Sequence, residues 1–424
     1  MNAWKKWAVR FCVATVAVLC TVMFVLTWWL PSDEELAMRL TALADERFGV
    51  AVSIRSVGWS LLPTPSVTVH DFRTQQEQPV SIAKLTAYPN VRMLLQRKLV
   101  LEAVEIDGAV VPRNALRTLR VKPQATEATA GDGTQPIERL EFRNLTWISY
   151  SNVAVVFDGE IEFDPQWRPR HAELRRPGNT PPFTLALARE ADTDAWQTQI
   201  VVGGGTANGR VALKTANDGS MQLSGQLAPR DIEVASAMRT FNRRSPVAGK
   251  ATGETGLSAS GQSVGALTGS LHTQTHFTVD PATILRFDLD KALRTRGKEH
   301  DGQTTLQELT GQLDTQNGAE GMRVTVTDIR ARAGQFTATG KAMVYHGQIE
   351  ASGNLDLVEG AVGVPITLSG PVQKPKVSVP PGFYAGAAIG TVLLPGIGTA
   401  IGARIGGAIG EVFSGDGRKP NTTK

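Results

Sequence analysis

The sequence predicts a mainly β protein. An N-terminal membrane-spanning helix leads into a long curled antiparallel sheet, an open β-trough, with a few short helices and a C-terminal glycine-zipper hairpin. Three observations predict this. Phe11–Leu30, FCVATVAVLCTVMFVLTWWL, runs for about twenty residues without a charge, the length a helix needs to cross roughly 30 Å of hydrocarbon. From Val50 onward apolar residues recur at alternate positions, the period of a half-buried strand. Glycine (42) and proline (23) are ample while aromatics make up only 6%, which favours many short strands joined by turns over a helical bundle.

The flanks of the apolar run give it a direction. Lys5, Lys6 and Arg10 precede it and Asp33, Glu34 and Glu35 follow. That asymmetry places the N-terminus in the cytoplasm and everything after Leu30 on the far side. Trp4 and Trp7 at one end and Trp28 and Trp29 at the other fit two aromatic belts. A cleaved secretory signal is the rival reading, but the bulky WWLP exit lacks a small-x-small cleavage site. Both cysteines, Cys12 and Cys20, lie inside the run. The region beyond it therefore has no disulfide, no thiolate chemistry and no cysteine-based metal site. A formal charge of +4 does not demand nucleic acid as a partner.

Taken in order, Ser32 with Glu35 forms a capping box ahead of Leu36, Leu40 and Leu43, so one short amphipathic helix precedes Gly49. Strands follow around Val52–Ile54, Val67–Val69 and Ser81–Ala87. Asn90 caps a helical turn over VRMLLQRK, and a strand from Leu99 to Ile106 is ended by Asp107-Gly108. Lys122–Gln135 has almost no apolar content and reads as a linker.

These segments carry a resemblance. The anchor and short helix lead into SVGWSLLPTPSVTVHDF and VSIAKLTAYPNVRMLLQRKLVLEAVEIDGAVVPRNAL; VVGGGTANGRVALK and LSGQLAPRDIEVASAMRTFNRRSPVAGKATGETGLSASG follow, with VPITLSGPVQKPKVSVP near the far end. The arrangement resembles the AsmA family of bacterial inner-membrane-anchored periplasmic proteins over most of Leu36–Pro380. It rests on order and pattern, since that family has no invariant catalytic signature. The resulting partition is 1–31 cytoplasmic tip and anchor, 32–120 AsmA-like N-terminal helix and strands, and 121–136 linker. Then come 137–380 AsmA-like β-groove, 381–413 glycine-zipper hairpin, and 414–424 disordered tail.

In the second half Val155, Phe157, Ile161 and Phe163 alternate with Val156, Asp158, Glu160 and Glu162, a strand dry on one face and wet on the other. Arg168–Pro182 reads as a long loop. A weak repeat then joins a hydroxyl residue, a glycine and an apolar residue. It recurs at Leu223–Leu227, Leu267–Leu271, Leu309–Leu313, Thr339–Ala342, Ser352–Leu355 and Ser369–Val372. Glycine inside a strand marks a bulge or sharp bend. Short helices are expected around Arg230–Phe241 and Ala282–Leu293. Met322, Val324 and Val326 share one parity and Ile329, Ala331 and Ala333 the other, so a bulge near Asp328 is predicted. In 381–413, glycines recur every fourth residue on both sides of Pro395-Gly396, a spacing that lets helices approach closely in membranes.

Catalytic patterns are discounted one by one. Gly261-Gln-Ser-Val-Gly265 spells a nucleophile elbow, but its flanks read as strand, glycine turn, strand, which would not lift Ser263 above a sheet. His272 and His276 lie in LHTQTHFTV, a strand in which four-residue spacing builds no helical ligand pair. Gly203–Gly209 lacks the Lys-Ser/Thr of a phosphate loop and reads as a turn. Asp288 and Asp290 sit beside Arg286 and Lys291 as a solvated face. No catalytic, cofactor-binding or metal residue is named, no cofactor is expected, and the chain is read as a non-enzyme.

An apolar trough suits acyl chains because burial near 25 cal/mol per Å² needs no directional contact. The resemblance implies the same: AsmA-like proteins look like lipid-transfer grooves of repeated strands that support outer-membrane integrity. The expected partners are the inner membrane through Phe11–Leu30, phospholipid acyl chains in the groove, and a second membrane or protein at the glycine hairpin. The chain is expected to be single-pass with its bulk periplasmic. The alternative is an anchored scaffold or assembly factor for outer-membrane proteins that carries no lipid.

Overall fold

A computed structural model of the chain describes residues 50–378, together with Met38 and Thr41. Within that span, 61, 96–99, 116–136, 165–167, 192, 296–297, 319, 335, and 357–363 are not described. The expected anchor Phe11–Leu30, the Ser32 capping box, the linker Lys122–Gln135, the glycine hairpin 381–413 and the tail 414–424 lie outside the described residues. Among the described residues no helix is long and apolar enough to cross a membrane. The described chain is mainly β, antiparallel throughout its ladders, with few helices. It divides into two units, one up to Leu140 and one from Glu141.

In the first unit β1 (Val52–Ser53) and β2 (Ser56–Ser60) both pair with β3 (Ser66–Thr74). β3 then pairs with β4 (Ser81–Pro89), and β4 with β5 (Leu101–Pro112). Val57, Val69, Leu85 and Ile106 form one cross-strand apolar row. Thr68 and Thr86, on the other face, pair their hydroxyls at 3.5 Å. The short helix α1 (Val91–Leu95) starts where expected, since Asn90 Oδ1 accepts the Met93 N–H at 3.2 Å. The expected stop at Asp107-Gly108 is a correction. The strand continues to Pro112, because Gly108 takes a left-handed conformation (φ 67°) inside the ladder and bends it without ending it.

The second unit holds one continuous meander. β7 (Ala154–Phe163), β8 (Pro169–Arg175), β9 (Thr184–Arg189), β10 (Ala195–Val202), β11 (Gly205–Thr215) and β12 (Met221–Arg230) pair in succession. β12 pairs with β14 (Val247–Gly261), and β14 with β15 (His272–Leu285). The ladder goes on through β17 (Glu308–Gly318), β18 (Gly321–Ala333), β19 (Phe336–Tyr345), β20 (Gln348–Asp356), β21 (Val364–Pro371) and β22 (Lys376–Ser378). β6 (Ile137–Ile148) precedes this ladder. β13 (Ile232–Glu233) and β16 (Gln303–Leu306) prolong β12 and β17 along the same neighbours after short breaks. Asp231, at φ 53°, makes the first break.

The bulge predicted near Asp328 is there. The β18–β19 register slips between Val326 and Ile329, and Asp328 sits at φ 50°. Of the two expected helices, the first is α2 (Val234–Thr240), capped by Glu233, whose carboxylate accepts the Ala235 and Ser236 N–H groups. The second is a correction: Ala282–Leu285 completes β15, and only α4 (Leu289–Arg294) is helical. Ala282 and Ile284 are paired to Leu306 and Thr304 of β16, so ladder bonds override the helical leucine spacing. Arg168–Pro182 is likewise no loop, since its Pro169–Arg175 forms β8 between two neighbours. Gly203–Gly209 is a turn only at Gly203-Gly204, where both φ values are positive; Gly205 onward is strand.

Candidate functional site

The second unit separates apolar from polar side chains across its whole ladder. One row of directly opposed residues runs Ile161, Ala172, Leu187, Thr198, Gly209, Leu227, Thr255, Thr275, Leu313, Val326, Ala342, Ala351, Leu368 and Val377. One residue along each strand the opposite face reads Glu162, His171, Ala188, Gln197, Arg210, Gln226, Gly256, Gln274, Asp314, Thr325, Met343, Glu350, Ser369 and Lys376. The alternation follows from the two-residue period of side-chain direction in a strand.

Hydroxyls on the apolar face satisfy one another. Thr255 and Thr275 meet at 3.0 Å and Thr273 and Thr315 at 2.6 Å. Each pair hides two polar atoms that would otherwise oppose an apolar guest.

Glycines of the weak repeat lie on this same face. Gly311, Gly340 and Gly353 share a row with Phe277, Ile329 and Ile366. A Cβ at Gly353 would lie 2.5 Å from the Thr339 carbonyl oxygen, and one at Gly340 would lie 2.7 Å from that of Ser352. At Gly253 it would run into the His276 carbonyl oxygen. The backbone of each neighbouring strand thus occupies the space of a side chain, and only glycine permits that approach. The repeat member Leu267–Leu271 is the exception: it lies in α3 (Val264–Ser270) and the residue after it.

Cover over the apolar face is partial. At one end of β14 α3 packs so closely that a Cβ on Gly261 would meet Ala266. At the other end Val234 of α2 packs on a core of Val279, Ala282, Leu306, Leu309, Ala331 and Ala333. Between these covers Leu313, Val326, Ala342, Ala351 and Leu368 are only half-buried.

Near the start of the meander the face deepens into an apolar pocket of about 450 Å³. Phe142, Leu145, Trp147, Val155, Phe157, Leu174 and Phe241 line it, with Ser149 and Arg243 at its polar margin. Phe157, Phe183 and Phe241 form a chain of tilted rings with centroids 6.0 and 5.4 Å apart. The segment after α2 closes this end. Asn242 donates to the Ala154 carbonyl at 2.7 Å and accepts from Arg176 at 2.8 Å. Arg243 donates to the hydroxyls of Ser149 and Ser151. Among the described residues no carboxylate pairs with Arg243, so a half-buried cation stands beside an apolar pocket.

The buried acid of this region is structural. Asp164 accepts from both Arg168 and Arg189, and Arg168 also reaches Asp194 at 3.2 Å. Partial desolvation works against the charge on Arg168, but the hydrogen bond and attraction of Asp164, with Asp194, raise its pKa. The cluster ties the ends of β7, β8 and β9 together.

The discounted motifs fall as follows. Ser263 stands at a strand-to-helix junction, which corrects the expected strand–turn–strand, because Val264–Ser270 is helical. Its hydroxyl accepts the Ala266 N–H at 3.1 Å as an ordinary N-cap in relaxed extended geometry. Among the described residues it engages no histidine or carboxylate. His272 bonds Asp314 at 2.7 Å on the polar face, while His276 lies opposite Gln312. Four residues of strand separate them by roughly 13 Å. Asp288 caps α4 by accepting the Lys291 N–H at 2.9 Å. No pair of nucleophile and base is assembled by these motifs.

Comparisons with protein-family models, with curated proteins and with solved structures find no match to this chain.

Proposed function

We propose that this chain is a non-enzymatic, inner-membrane-anchored lipid-handling protein of the AsmA kind, which holds phospholipid acyl chains on the apolar face of its sheet in support of outer-membrane lipid homeostasis. The observation that carries the reading is the cross-strand row from Ile161 to Val377, apolar or glycine at every position except Thr198, Thr255 and Thr275, and half-buried over much of its length. A face of this kind left to water is costly at about 25 cal/mol per Å², and a flexible chain covers it without directional contacts. The paired threonine hydroxyls remove the polar atoms that would resist such a guest.

The pocket of about 450 Å³ falls within the ordinary range of ligand sites, roughly 300–1,000 Å³. Its Arg243 supplies one cation at an apolar wall, the complement of an anionic head on an apolar tail. Phe11–Leu30 serves as the anchor, and the 381–413 hairpin contacts a second membrane or protein.

The test is mass spectrometry of organic extracts from the purified chain, exchanged into a lipid-free detergent. Stoichiometric phospholipid is the expected result. An extract no richer than that of an unrelated membrane-anchored β protein overturns the carrier and favours an anchored scaffold for outer-membrane proteins.

A further inference from the structure

The polar face of the first hairpin in the meander carries a feature that lipid handling does not use. Glu160 of β7 and Glu173 of β8 are directly opposed partners in the ladder. Two carboxylates in that relation repel, and sheets ordinarily avoid the arrangement. His171 lies two residues from Glu173, on the same face, opposite Glu162. One ligand atom from each of Glu160, His171 and Glu173 lies within 4.8 Å of the other two. Among the described residues none of the three side chains is engaged in a hydrogen bond or ion pair. On the next strand the partners of His171 and Glu173 are Ala188 and Ala186, which carry no polar side chain to pair with them.

We infer that Glu160, His171 and Glu173 form a divalent transition-metal site of the zinc class. One imidazole nitrogen and two carboxylate oxygens make a mixed donor set that suits zinc and its neighbours. Calcium and magnesium prefer all-oxygen shells. Three protein ligands leave a fourth position for water. The cation replaces the repulsion between Glu160 and Glu173 by attraction to both. It clamps β7 to β8 directly behind Leu174, which lines the apolar pocket on the other face. The site stands independently of the lipid reading.

The test is isothermal titration of the full chain in detergent, free of any histidine tag and stripped with a chelator, using zinc chloride as the probe. The expected result is one zinc per chain, weakened at least about tenfold in both His171→Gln and Glu173→Gln. His276→Gln removes a histidine from the same face outside the cluster, and it leaves binding unchanged. Glu160→Gln removes the like-charge pair, so its metal-free thermal midpoint stays at or above that of the parent, which shows the fold intact. Absence of saturable zinc binding overturns the assignment. So does binding that survives either His171→Gln or Glu173→Gln, or zinc displaced by millimolar calcium.

Discussion

The two ends of the apolar face solve the same problem differently. Around β6–β9 it is built from large rings, with Phe142, Phe157 and Phe183 buried and Phe241 closing over them at 38% exposure. Around β17–β21 the small residues Gly311, Gly340, Gly353, Ala342 and Ala351 alternate with Leu313, Val326, Ile329 and Leu368. Rings fill space and define a walled pocket, while small residues let one strand's backbone press against the next and leave a shallow strip. One alternation of apolar and polar residues therefore yields two kinds of surface, and side-chain volume decides which. On the proposed reading, the ringed end with Arg243 selects the head group and the small-residue end carries the tail.

The largest expected effect tests close backbone approach on the same face, at β14. Gly253→Val forces a side chain into the His276 carbonyl and is expected to cost about 3–5 kcal/mol in denaturant unfolding. Gly256→Val, three residues on and facing open space, is expected to stay within about 0.5 kcal/mol. Equal effects would mean that close backbone approach is not what shapes this face.

Next comes the charged margin of the ringed end. Arg243→Glu is expected to lower retention of an anionic amphiphile about tenfold, near 1.4 kcal/mol, in a fluorescent-lipid titration. The exposed Arg244→Glu is the matched control and is expected to change it little. If both reversals act alike, the effect is general electrostatics and not a site.

Phe241→Ala removes one ring of the Phe157–Phe183–Phe241 chain. A loss of about 1 kcal/mol is expected, mostly from the 5.4 Å edge contact. Smaller still is the hydroxyl pair on the strip. Thr273→Val or Thr315→Val alone is expected to cost about 0.5 kcal/mol, and the double variant less than the sum. Strict additivity would show that the two hydroxyls do not depend on each other.

Much of the strand pattern was legible in the sequence. Val155, Phe157 and Ile161 lie on the face their alternation predicts, and the change of parity after Val326 correctly located the Asp328 bulge. The weak glycine repeat does fall on one face, but for backbone approach and not the expected bulge, since the register runs unbroken at Gly225 and Gly353. Local signals failed where pairing overrode them. Leucine spacing at Leu285 and Leu289 looked helical, but Leu285 is held in the ladder opposite Gln303. Arginines and prolines around Arg168–Pro182 looked like a loop and hid β8. That one misreading also hid His171 and Glu173, whose shared face with Glu160 follows only from the hairpin. The ringed pocket draws on β6, β7, β8 and the segment after α2, so no spacing in the sequence announces it.

The most direct measurement places a photo-crosslinking amino acid at Leu313 and, separately, at its neighbour Gln312, in cells expressing the full chain. These positions differ by one residue and face opposite sides of the sheet. Phospholipid adducts at Leu313 and none at Gln312 are the predicted result. Equal labelling, no lipid at either position, or protein adducts alone at Leu313 would contradict an apolar face that carries acyl chains.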